Sequence, residues 1–267
     1  MMTKRNRTEE LTLVFTLKGP TDSAEMALDQ NKARFQQRTG SLAPLDAFAF
    51  LIGRMQALGI ETTFIEGCKS VSAAVIRKRI KTKGAWGHLE TAELSFQYGV
   101  AGSYDHCFVS IREKVANTAG DWGAWTIPFV ISDGFIEGWV VDVEYNHWQN
   151  AKDPIEYETA GRDFSHLPMK TNGLPPPLEQ MEIDTSRNPG RWVLRSGYVE
   201  AVGARMWLSE LFWDRVGRDR KSRIILTKWF CTSELVKGIM EIRISEHCFI
   251  SEKTSDIQER LRADLYS

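Results

Sequence analysis

The densest grouping of side chains able to do chemistry is acidic. Asp142-Val143-Glu144 sets two carboxylates two residues apart, with Asp133 and Glu137 just upstream. On an extended strand, residues i and i+2 share a face, so Asp142 and Glu144 would converge. Converging carboxylates can hold a divalent metal or run general acid–base hydrolysis. A metal-dependent nuclease of the restriction type also wants a lysine two residues past the second acid, and that place holds Asn146. A metal-dependent hydrolase built on Asp133, Asp142 and Glu144 is therefore the alternative reading. The preferred one makes Asp133, Glu137, Asp142 and Glu144 a contact surface for a partner.

Other chemistry is sparse. His88, His106, His147, His166 and His247 are scattered without ligand spacing. Cys68, Cys107, Cys231 and Cys248 form no C-x-x-C pair and read as reduced, mostly buried thiols, as in a cytosolic protein. The sequence contains no phosphate-binding glycine loop, no nucleophile elbow and no H-E-x-x-H. The expectation is a protein without catalytic residues, metal or cofactor.

Charge is uneven along the chain although the formal total is −1. Eight acids fall between Asp121 and Glu158 against the single base Lys152, interleaved with Trp122, Trp125, Trp139 and Trp148. Aromatics ringed by one sign of charge suit a protein interface. The basic runs Arg77–Lys83 and Arg215–Arg223 read as solvated helix ends or turns, and a near-neutral total argues against a dedicated nucleic-acid binder.

These groups need elements to carry them. Leu11 to Lys18 reads as a strand ended by Gly19-Pro20. A helix should follow, capped by Asp22 with Glu25 three residues on. Pro44 to Leu58 is strongly apolar, and periodicity does not decide between helix and strand. Thr62–Ile65 reads as a strand and Ser70–Ile80 as a helix with basic residues at its end. Leu94–Tyr98 and Cys107–Arg112 read as a hairpin. Trp125–Ile131 reads as an edge strand because of Pro128, and Phe135–His147 as a strand with Asp142, Glu144 and Asn146 outward. Asp153 to Pro189 is proline-rich and irregular, as a link between lobes or a functional loop would be. Arg191–Val199 then reads as strand, Ala204–Val216 as an apolar helix, and Arg223–Phe230 and Gly238–Ile244 as strands. A final helix carries Ile257, Leu261 and Leu265, opened by a Ser255/Gln258 capping box.

With 267 residues, 42% hydrophobic and 26% charged, the composition is that of a folded globular chain. It carries neither a secretory leader pattern nor an apolar stretch of membrane-spanning length, so the expected compartment is the cytoplasm. The fold class is α+β, with mixed or antiparallel sheets and packed helices. Two lobes are possible, 1–165 and 166–267, or one continuous domain.

The opening strand, Gly19-Pro20, the Ser23-Ala24-Glu25 and Ala27 helix and the Trp-rich strands after it resemble the immunity protein 52 family. The resemblance implies a cytosolic antitoxin of the type VI secretion system. Such a protein binds and neutralises a cognate toxin with a restriction-endonuclease-like nuclease domain. It implies no catalytic motif and no direct contact with nucleic acid or membrane.

Overall fold

The computed structural model describes residues 7–18 and 39–267. The helix expected after Gly19-Pro20, with its Asp22 cap, lies outside them.

β1 (Glu9–Lys18) buries Leu11, Leu13, Phe15 and Leu17 on one face and Val14 on the other, as a strand covered on both sides must. A short β2 (Thr39–Gly40) pairs with its end. The undecided stretch after it is α1 (Pro44–Ala57), which has proline at its N-terminus and buries Phe48, Leu51, Ile52 and Met55 at helical spacing. β3 (Thr63–Glu66) and β4 (Lys69–Ser72) make a small hairpin, and α2 (Ala73–Lys83) ends as expected in Lys81 and Lys83 before a left-handed Gly84. β5 (His88–Glu90), β6 (Leu94–Ala101) and β7 (His106–Glu113) then form an antiparallel meander.

Trp125–Ile131, expected as a strand, is instead part of α3 (Trp122–Val130). The Asp121 side chain caps it by accepting from the Gly123 amide, and Trp122, Trp125, Thr126 and Phe129 are buried at one-turn spacing. Pro128 is accommodated inside the helix. The long strand expected over Phe135–His147 also divides. β8 (Phe135–Asp142) stops where Asp142 caps α4 (Val143–Asn150). The region expected to be irregular has structure of its own: α5 (Pro154–Thr159) and a hairpin of β9 (Met169–Thr171) and β10 (Met181–Ile183).

A further hairpin pairs β11 (Val193–Arg195) with β12 (Tyr198–Glu200). The expected apolar helix over Ala204–Val216 is β13 (Arg205–Ser209) followed by α6 (Glu210–Val216). Its first half is apolar because a central strand is covered on both faces, and Ser209 ends it by capping α6. The strand expected from Arg223 is the end of α7 (Arg218–Leu226). β14 (Cys231–Val236), β15 (Ile239–Arg243) and α8 (Ser255–Tyr266) complete the chain. The α8 cap is Thr254 without a side-chain cap bond. Gln258 points inward and donates to Tyr145 Oη and Thr254 Oγ1, each at 2.9 Å.

The result is an α+β fold on one large antiparallel sheet, in the order β14-β15-β13-β8-β1-β7-β6-β5. Hydrogen bonding runs across position 165, because β8 pairs with β1 on one side and β13 on the other. One face carries α1, α2 and α3 over Leu11, Leu13, Phe15, Phe96 and Trp207. The other carries α6, α7 and α8 over Val14, Ile136, Trp139, Met206 and Leu208. Gly138 lets β8 lie close against β1. A Cβ there would lie 2.6 Å from Leu13 Cδ2 and 3.1 Å from the Thr12 carbonyl. Among the described residues, no helix is long and apolar enough to cross a membrane.

Candidate functional site

The four acids singled out by sequence are not gathered at one point. Asp133 lies in an exposed turn before β8, and Asp142 ends that strand. The eight-residue strand that Asp142 ends sets the two roughly 25 Å apart. Glu137 lies between them and is fully buried. Its parity is that of Trp139, so strict alternation would have placed it inward. Its Oε1 accepts from the Val199 amide of β12 at 2.6 Å, and Oε2 has no partner among the described residues. Arg215, Glu200 and Tyr266 contribute the surrounding field. Burial pushes its pKa up to about 8, against the Val199 hydrogen bond and the Arg215 charge, which hold it down.

Asp142 is also buried, on the opposite face from Glu137. Its Oδ1 accepts from the Tyr145 amide at 2.7 Å and from Arg7 Nη1 at 2.9 Å. The expected outward strand face shared by Asp142 and Glu144 does not form, because the chain turns helical between them. Glu144 occupies the exposed first turn of α4, 3.8 Å from Arg162 Nη1. The structure thus leaves Asp133 and Glu144 on the surface and gives Glu137 and Asp142 roles inside the fold.

A cleft of about 320 Å³ opens beside the Asp142 end, lined in part by Glu9, Asp121, Trp122, Arg205, His247 and Cys248. Its charges are largely used internally. Arg205 bridges Asp121 and Glu241 at 2.7 and 2.5 Å, Arg243 reaches Glu241 at 3.0 Å, and Trp122 Nε1 donates to Glu9 at 2.7 Å. Burial, with Glu9, Asp142 and Glu113 close by, pushes the Cys248 thiol far up, so it stays protonated. All four cysteines are free thiols, but only Cys107 is fully buried, whereas Cys68 and Cys231 are exposed. Among the described residues, no group of three or more His, Cys, Asp or Glu is arranged to hold a metal ion.

The acidic character moves to the surface beyond β8. Glu144, Asp153, Glu156, Glu158 and Asp163 are all exposed, with Lys152 and Arg162 as the nearby exposed bases. Underneath, Trp148, Ala151, Tyr157 and Ile183 make a small separate core, and Arg162 lies 4.3 Å above the Trp148 ring. From this core the β9–β10 hairpin projects with an apolar tip. Sequence reasoning singled out the proline run but not the leucines on either side of it. Comparison with protein-family models, curated proteins and solved structures gave no match.

Proposed function

We propose that this chain is an immunity protein, which binds and neutralises a cognate nuclease toxin delivered by type VI secretion and does so in the cytoplasm. The observation that carries the reading is the exposed acidic surface of α4, α5 and the turn after them: five carboxylates against two bases. A nuclease must hold phosphates and therefore carries a basic groove. An acidic surface complements that groove, speeds encounter and competes with nucleic acid. In this reading the chain needs no turnover of its own, and inhibition rests on affinity. A nanomolar Kd, about −12 kcal/mol, is within reach of a standard-size interface with a few strong anchors.

The test is co-production with the toxin encoded beside this chain's gene. Rescue of growth and co-purification of the two chains are expected. Persistent toxicity with this protein in excess, or turnover of nucleic acid or phosphoesters by the purified chain with magnesium or manganese, would sink the proposal.

A further inference from the structure

The β9–β10 hairpin presents apolar side chains to solvent from a tip that is held in one shape. At its base Ile183 is buried in the small core, at 1% exposure. The pairings Met169↔Ile183 and Thr171↔Met181 put these four residues on one face of the hairpin. Moving outward along that face, exposure rises to 52% at Met181. The tip itself, Leu174-Pro175-Pro176-Pro177-Leu178, is wholly apolar, with Leu174 at 51% and Leu178 at 62% exposure. Prolines are ordinary turn residues, but solvated turns are seldom flanked by exposed leucines, so Leu174 and Leu178 need another explanation.

One side chain supplies most of the tip's hydrogen bonds. Asn172 Oδ1 accepts from the amides of Leu174 and Gln180 at 3.1 and 3.2 Å, and its Nδ2 donates to the Leu178 carbonyl at 3.0 Å. The Leu178 amide closes a turn on the Pro175 carbonyl at 3.0 Å. A loop fixed in this way has already lost much of the entropy that binding would otherwise cost. Ordered apolar groups that lie together in solvent, without a partner among the described residues, mark an interaction site.

We propose that this hairpin is a preformed docking arm that inserts Leu174, Leu178 and Met181 into an apolar socket on the toxin, rimmed by basic side chains. The basic rim follows from charge: residues 153–189 carry seven acids and three Lys or Arg, and Glu179 is exposed beside Leu178. The inference rests on the proposed function and names the surface that carries it out.

The experiment uses the full chain and, as probe, a catalytically inactive form of the toxin's nuclease domain. Leu174→Asp with Leu178→Asp should leave the Tm unchanged and weaken binding by more than about a hundredfold, since two of the three anchors are lost. Asn172→Ala, which keeps the anchors but frees the loop, should weaken it by about tenfold. If the double change lowers the Tm, Leu178→Asp alone repeats the reading at the most exposed tip leucine. Parent-like affinity of a folded tip variant overturns the docking arm while leaving the proposed function standing. Parent protein that does not bind the toxin overturns the proposed function, and the arm with it. A concentration-dependent dimer of the parent that the tip change abolishes assigns the surface to a second copy and likewise overturns the inference.

Discussion

Glu137 on β8 and Val199 on β12 are joined by a 2.6 Å hydrogen bond from the Val199 amide to the buried carboxyl, 62 positions apart in sequence. The bond ties the β11–β12 hairpin to the middle of the sheet. It also makes the sheet's covered face sensitive to a proton.

The sign of that sensitivity follows from linkage. The Glu137 carboxyl ordinarily titrates at 4.5 and in the fold at about 8. Between those values the native chain holds a proton that the unfolded chain has released, so stability falls as pH rises from about 4.5 to about 8, and the contribution is gone above that. The full swing is on the order of a few kcal/mol. His106, whose pKa burial lowers, acts in the opposite sense, losing stability as pH falls below the ordinary 6.5. Denaturant melts of the parent and Glu137→Gln across pH 5 to 9 separate the two effects. The Gln variant should keep its stability at pH 9 where the parent loses it, and parallel curves would refute the buried-acid account.

Asp142 acts within the fold. Asp142→Ala removes the α4 cap and leaves Arg7 without its partner, with an expected loss of about 2–4 kcal/mol. Asp142→Asn keeps the cap and should lose clearly less. Urea melts decide it, and equal losses for the two variants would put the whole effect on the ion pair.

Glu144 is the contrasting case, an exposed carboxylate whose substitution should leave the melt within about 0.5 kcal/mol of the parent. Glu144→Lys should slow association with the toxin several-fold at about 0.05 M salt, and the difference should vanish at about 0.5 M. Rates measured by stopped flow at both salts test this, and an unchanged on-rate at low salt moves the contact away from α4.

Arg262 on α8 is buried and donates to the carbonyls of Glu200, Pro189 and Arg191. Arg262→Met keeps the stem and removes the donors, so three inward-facing carbonyls lose a charged partner. The expected loss is about 2–4 kcal/mol. Amide exchange should rise first over 189–200, and a uniform rise across the sheet would deny Arg262 this local role.

Much of this fold is legible in the sequence where one period holds over the whole element. β1, the β6–β7 hairpin, α2, β15 and α8 were read with the right type. The misreadings cluster where an element changes type without a glycine or proline to mark it. At Asp142 and Ser209 the last strand residue is also the cap of the next helix, so a single polar side chain carries the whole boundary. In α3 the proline outweighed a 122, 125, 126, 129 spacing that points to a helix. The candidate site failed for the same reason. Alternation carried past Asp142 puts Glu144 on a face that does not exist, and a contact surface that includes Glu137 runs against that residue's own parity. In the sequence the hairpin tip is visible only as a proline run; the bond from the Leu174 amide to Asn172 follows the Asx-turn spacing, but those to Leu178 and Gln180 follow no local spacing.

The place of β1 in the sheet has a consequence for synthesis on the ribosome. β1 is the earliest long strand of the described chain, yet its neighbours are β7 and β8, which begin at His106 and Phe135. At ordinary translation speeds roughly ten seconds pass between the emergence of β1 and that of its first full-length neighbour. Throughout that interval Leu11, Leu13, Val14 and Phe15 have no full-length strand to lie against, and each is completely enclosed in the finished molecule. The nascent polypeptide is therefore open to aggregation over that interval, and the yield of folded protein in cells should fall with temperature and expression level more steeply than the stability of the finished protein would suggest.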